Sequence, residues 1–259
     1  MNISISKTVF SQPKPYTFDQ FKRCEQQEYA IERIRAVRNM INTNAQAIRA
    51  GEQLPHTDAQ IKEAKQQVPA YYLHVAKLKE GAETHTEKDI ESVNNLMIYD
   101  IDHLGLDSEE TLTKWSEFSF DDQFYKQHGI CRVQVSVSGR GMRFWVQMQE
   151  NETLVKCMER INQVLLQKGL DLKCLDQSCK NANRASYFSL AEDVLYEDEE
   201  MINNTVETSY SAVCERDACP CVSTSGYVRE TYSHTSLQVE QPTRHGIKEK
   251  GILILLSFA

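Results

Sequence analysis

The chain has 259 residues, 41% of them hydrophobic and 25% charged, with a formal net charge of −8. This is the composition of a soluble globular protein, one large domain or a domain with appendages. No stretch approaches the ~20 apolar residues of a membrane helix, and the start, MNISISKTVFSQPKPY, lacks the basic-then-apolar layout of a signal peptide. The chain therefore reads as cytoplasmic, with no membrane partner and with its eight scattered cysteines as reduced thiols. The one cysteine cluster, Cys214, Cys219 and Cys221, has a spacing unlike that of structural zinc pairs, although His234 and His245 follow.

In chain order, residues 17–50 predict a helix. Thr17 and Gln20 form a capping box, Ala30, Ile34, Val37, Ile41, Ala45 and Ile48 recur at helical spacing, and Gly51 stops the pattern. A short helix follows near 57–67, before Pro69. AYYLHVAKL (70–78) reads as a strand and the polar 80–94 as a loop or short helix. Leu96 to Asp102 is a strand too short for a helix, and Glu109–Glu117 is a helix. CRVQVSVSG (131–139) and RGMRFWVQM (140–148) form a hairpin around Gly139-Arg140-Gly141. A helix from Asn151 puts Leu154, Met158, Ile161 and Leu165 on one face and ends at Gly169. RASYFSL (184–190) is a last strand. The expected fold is α+β, with a mostly antiparallel sheet, flanking helices and a helical N-terminal region. The domain spans 1–200, helical over 15–67 with its core over 68–200. Residues 201–259 are a linker or tail ending in the apolar stub KGILILLSFA, which either packs on the domain or belongs to a longer protein.

Three elements carry candidate chemistry. Asp100 and Asp102 leave the strand end on one face, because side chains alternate with a period of two. Two carboxylates so placed suit a hard divalent ion, Mg2+ or Mn2+, although Asp102 as a simple turn cap stands beside that reading. In SVSGRGMRF, Ser136, Ser138, Gly139, Arg140, Gly141 and Arg143 offer hydroxyls, backbone N–H groups and cations to a triphosphate, or else make a plain hairpin turn. In LDQSCKNANRASYFSL, Asp176 precedes Lys180 and Arg184, with Asp171 as its rival acid. The charge is uneven. Residues 130–184 hold nine lysines and arginines against five acids, whereas residues 185–220 hold nine acids against one arginine. A local basic surface can bind phosphates on an acidic molecule.

An apolar strand ending D-x-D, then S-x-S-G-x-G and a strand, then an acid followed by K-N-x-x-R resembles the archaeo-eukaryotic primase (primase-polymerase) superfamily. More narrowly it resembles the mobile-element branch catalogued as the VirE N-terminal domain family. The resemblance takes in AIERIRAVR and KQQVPAYYL (65–73) and covers roughly residues 15–200. It implies an RRM-like core, with Asp100, Asp102 and Asp176 as the metal-binding catalytic acids. Ser138 and Arg143 fall in a nucleotide-binding second motif, and Lys180 and Arg184 face phosphates. Arg143 stands where the superfamily usually has His. It keeps forked donors for a triphosphate but cannot titrate near neutrality. The implied activity is two-metal phosphoryl transfer from nucleoside triphosphates on a single-stranded DNA template. Phe144, Trp145, Tyr187 or Phe188 are the residues available to stack bases. No G-x-x-x-x-G-K-[ST] occurs, so any helicase is a separate chain or a separate part. The rival reading is a catalytically inactive nucleic-acid-binding module on the same fold.

Overall fold

The computed structural model describes residues 1–82 and 86–210. The cysteine cluster at 214–221, His234, His245 and the apolar stub lie outside the described residues. The chain opens with β1 (Asn2–Ser6) and β2 (Lys14–Thr17), an antiparallel pair. The helix expected over 17–50 is two helices, α1 (Phe18–Glu25) and α2 (Glu28–Ala50), with a break at Gln26 and Gln27. Its start is the anticipated capping box, in which Gln20 N–H donates to Thr17 Oγ1 at 3.3 Å and Thr17 N–H to Gln20 Oε1 at 2.8 Å. Its end is Gly51 at φ 70°, in the left-handed region that glycine occupies without a Cβ clash.

α3 (Asp58–Gln66) repeats the capping box with Thr57 and Gln60. The strand expected over 70–78 splits at Leu73 and His74 into β3 (Ala70–Tyr72) and β4 (Val75–Leu78), which serve different sheets. Of residues 80–94, expected as a loop or short helix, Glu87–Asp89 form a 3₁₀ turn, but residues 90–94 form β5 (Ile90–Asn94). Its polar side chains are paired across long distances in sequence: Ser92 Oγ donates to Glu207 Oε1 at 2.6 Å and Asn94 Nδ2 to Asn2 O at 2.7 Å. Next come β6 (Leu96–Ile101), α4 (Ser108–Ser116), α5 (Asp122–Gln127), β7 (Ile130–Val135), β8 (Met142–Gln147) and α6 (Leu154–Gln167). The short elements β9 (Ser186–Tyr187), β10 (Val194–Glu197), α7 (Glu199–Asn203) and β11 (Glu207–Ser209) complete the described chain. β11 pairs with β5, so residues just beyond 200 are part of a sheet.

The fold is α+β, and among the described residues every strand pairing is antiparallel. Its centre is the sheet β10-β7-β8-β6. Ile101, at the end of β6, makes a single antiparallel bridge to Leu175 on the other side. Running outward from that bridge, the order is segment 174–176, β6, β8, β7. In chain order this is a β-α-β-β-α-β unit with its fourth strand reduced to one bridge, the topology of an RRM-like sheet.

Both faces of this sheet are covered. Tyr99, Val133, Val135, Phe144 and Val146 pack under α4, α5 and α6 through Trp115, Phe124, Ile161 and Leu165. On the other face Ile98, Cys131 and Trp145 pack under the N-terminal helices through Phe18, Phe21, Ile34 and Val37. Alternation with a period of two therefore gives strands that are apolar on both sides. Phe144, Trp145 and Phe188 are each fully buried, which removes them as base-stacking residues. Trp145 instead donates its indole N–H to Tyr71 Oη at 3.0 Å. Of the four aromatics, only Tyr187 keeps partial exposure.

Candidate functional site

The covered sheet carries one polar row on its N-terminal-helix face. The register places Asp100 opposite Arg143, and Arg143 opposite Gln134. The third acid arrives through backbone pairing. Asp102 N–H donates to Cys174 O at 2.6 Å, and Asp176 N–H donates to Asp100 O at 3.2 Å. Asp100, Asp102 and Asp176 are thus brought together by main-chain hydrogen bonds, independent of what their side chains do.

The side chains form a network of alternating charge. Asp100 is only 4% exposed. Arg143 grips it in a fork, Nε to Oδ1 at 2.7 Å and Nη2 to Oδ2 at 3.2 Å. Arg143 is itself 5% exposed, and its remaining arm donates to Tyr187 O at 2.6 Å. Arg184 Nη2 bridges two acids, with Asp100 Oδ2 and Asp176 Oδ2 each 2.6 Å away. Burial pushes the Asp100 carboxyl up, but Arg143 and Arg184 outweigh it and hold the group below the usual carboxylate range. The same carboxylate raises both guanidiniums against the effect of their burial.

Asp102 differs. It is exposed, and among the described residues no hydrogen-bond donor or ion-pair cation reaches its carboxylate. Loss of hydration, then the charges of Asp100 and Asp176, raise its pKa above the ordinary value. The following residue, His103, adopts φ 57°, a left-handed conformation that non-glycine residues hold only where surrounding structure imposes it.

The hairpin turn lies against this strand exit. Arg140 O accepts from Leu104 N–H at 2.8 Å and from Gly105 N–H at 3.3 Å. Gly141 packs so closely on β6 that an added Cβ would run into the Ile101 carbonyl. Gly139 holds φ 75° against Ser108 and Arg38. Ser136 and Ser138 are buried, with their hydroxyls 3.2 Å apart, under the turn rather than toward solvent. Arg140 N–H leans on Ser138 Oγ at 3.4 Å. Lys180 is exposed at the end of a 3₁₀ turn (Gln177–Lys180), and Asp171 is exposed with its Oδ1 accepting from Lys173 N–H at 3.0 Å.

Two cations that sequence reasoning did not assign belong to this neighbourhood. Arg38, on α2 and buried, donates to Val137 O at 2.9 Å, Ser136 O at 2.9 Å, Ser108 Oγ at 2.8 Å and Asp193 Oδ2 at 2.7 Å. It clamps the backbone of the turn from the helical side. Lys65, in the last turn of α3, has its pKa lowered by burial; Asp102 acts against the lowering, while Arg140 and Arg143 add to it. Its place in KQQVP was visible in the sequence, its approach to Asp102 was not. The basic surplus of 130–184 is also partly internal. Arg132 is buried against Glu25, Arg160 is paired with Glu152, and Arg143 and Arg184 with the acids above.

The donor set, three aspartates supplying hard oxygen ligands, fits a divalent cation in chemistry. Its arrangement is closed around a guanidinium nitrogen: among the described residues no three His, Cys, Asp or Glu side chains stand ready to hold an ion. Among those residues, too, no helix is long and apolar enough to cross a membrane, and Cys24, Cys131, Cys157, Cys174 and Cys179 are free thiols.

The family described as BT4734-like, N-terminal domain, matches residues 63–196, just over half of the chain, and the chain belongs to that family. The matched span contains Lys65, the three aspartates, Arg143 and Arg184, and leaves α1 and α2 outside. No curated protein and no solved structure matches the chain.

Proposed function

We propose that this member of the BT4734-like N-terminal domain family is a primase-like nucleotidyltransferase of a mobile element. It acts in the cytoplasm, extends a strand on a single-stranded DNA template from nucleoside triphosphates, and relies on a separate helicase. The observation that carries the reading is the backbone-fixed convergence of Asp100, Asp102 and Asp176 where segment 174–176 pairs with the end of β6. These three would hold Mg2+ or Mn2+. When bound, the ion supplies Lewis-acid activation of a 3′-hydroxyl and charge for the leaving pyrophosphate. Arg140 and Lys65, on the same side as Asp102, are the cations placed to meet triphosphate oxygens. Lys180, at the rim, is suited to template phosphates. The buried serines and Gly141 shape the turn that presents Arg140.

A second reading has its own support. Asp100 and Asp176 are already neutralised by arginines, as a non-catalytic nucleic-acid-binding module would have them. Nucleotide incorporation on a primed and an unprimed single-stranded template, with Mn2+ or Mg2+, separates the two. Incorporation by the wild type that disappears in Asp102→Asn supports the enzyme. Absence of product from folded wild-type protein that still binds single-stranded DNA without a divalent ion supports the module.

A further inference from the structure

Arg184 and Arg143 both neutralise Asp100, yet they are held very differently. Arg143 is a strand residue whose place is fixed by the β6–β8 ladder, with all three arms of its guanidinium in use. Arg184 lies outside helices and strands, in a turn closed by its own N–H on Asn181 O at 3.1 Å, and its side chain is 19% exposed against 6% for Arg143. Arg184 Nη2 stands 2.6 Å from one oxygen of Asp100 and 2.6 Å from one oxygen of Asp176. One positively charged atom between two carboxylates from different segments is the position a shared cation takes.

We propose that Arg184 is an exchangeable counter-ion. It holds Asp100 and Asp176 together while no divalent cation is bound, and it competes with that cation for the same two oxygens. Arg143 does not exchange, because leaving Asp100 would strand a buried guanidinium with no water to receive it. Arg184, partly exposed and outside the helices and strands, can swing outward, and once released it offers its fork to a phosphate. The inference rests on the metal-dependent reading above, and it makes Arg184 a positioning residue acting through the two aspartates.

The test is Mn2+ binding to the full chain, by calorimetry and by electron paramagnetic resonance of free Mn2+, without nucleotide. Wild type, Arg184→Gln and Asp102→Asn are compared after far-UV circular dichroism has established that each is folded. Removing a competitor should tighten Mn2+ binding at least tenfold in Arg184→Gln, whereas Asp102→Asn should weaken it. A merely structural arginine gives unchanged or weaker binding in Arg184→Gln. That result, with Asp102-dependent binding intact in the wild type, overturns the exchange and leaves the metal-site reading standing. No Mn2+ binding by wild type or by Arg184→Gln overturns both. Should Arg184→Gln fail to fold, the wild type answers alone. On titration with Mg2+, the Arg184 guanidinium NMR signal should shift and broaden while that of Arg143 stays. Mg2+ binding that leaves both signals in place overturns the proposal.

Discussion

Replacing Asp100 by Asn removes one charge from a buried cluster and little volume. In the wild type the carboxylate is 4% exposed and accepts from two guanidiniums, one of them in a fork. Asn keeps an acceptor but no charge, so Arg143, fixed on β8 and 5% exposed, is left ionised and uncompensated. Breaking a buried pair from one side typically costs about 3–5 kcal/mol, a large share of the ~5–15 kcal/mol by which domains are stable. Asp102→Asn is the contrasting case. Its carboxylate is exposed, has no partner among the described residues, and sits near two like charges, so the change should be within about 0.5 kcal/mol and toward greater stability. Urea unfolding at pH 7 measures both, provided the denaturant slope is unchanged. The pH profile adds a sign. A carboxyl whose pKa is lowered in the fold contributes fully above its unfolded value of about 3.9, and loses that contribution as pH falls through the lower folded value. The gap between wild type and Asp100→Asn should therefore stay level from pH 8 to about pH 5 and narrow only below about pH 4. An Asp100→Asn protein within 1 kcal/mol of wild type, or an Asp102→Asn protein equally damaged, would refute the assignment of Asp100 as buried counter-ion and of Asp102 as exposed, unpaired carboxylate.

Two further outcomes follow from local geometry. Gly141→Ala drives a Cβ into the Ile101 carbonyl, a backbone group that cannot rotate away, so thermal unfolding should report a loss of about 1–3 kcal/mol, with Mn2+ binding weakened alongside. His74 is buried, its Nδ1 is 3.1 Å from Leu96 O, and burial lowers its pKa to about 4. Between about pH 6.5 and 4 the unfolded chain takes up a proton that the fold does not, so stability falls by about 1.4 kcal/mol per pH unit; His74→Gln should flatten that slope in urea titrations at stepped pH.

Where local signals are strong, sequence and structure agree closely. Thr17 with Gln20, the Leu154 to Leu165 face, and the Gly139-Arg140-Gly141 hairpin each depend on residues within a few positions of one another. β5 was hidden because Ser92 and Asn94 are polar, and their burial is made tolerable by Glu207, Asn2 and Leu73, all distant in sequence. The split at Leu73 and His74 was hidden because AYYLHVAKL is uniformly compatible with a strand, and the choice of sheet is made elsewhere. The aromatics misled for a related reason. A half-covered sheet would leave one of Phe144 and Trp145 facing out, but helices lie on both faces. At the site, D-x-D and the later Asp176 were legible as types. That Arg143 turns inward, and that Arg38 and Lys65 arrive from helices, depends on packing that no short window contains.

Charge balance bears on the proposed metal role of this cluster. A network present only to stabilise the fold has every buried charge answered, as with Arg132, which meets Glu25 at 2.8 Å and Glu197 at 3.2 Å. In the described ion pairs, Arg143 and Arg184 reach Asp100 and Asp176, and Asp102 is left without one. Lys65 is near enough to feel that charge yet forms no ion pair with it among the described residues. An unanswered carboxylate, held by a main-chain bond to Cys174 and followed by a residue at φ 57°, is maintained against its own repulsion from Asp100 and Asp176. A cation added from solution relieves that repulsion, whereas a third buried arginine would abolish it for good. Asp102→Asn therefore discriminates between enzyme and binding module more sharply than any change to the paired acids, since it would remove a proposed metal ligand without touching the ion pairs that hold the edge of β6 in place.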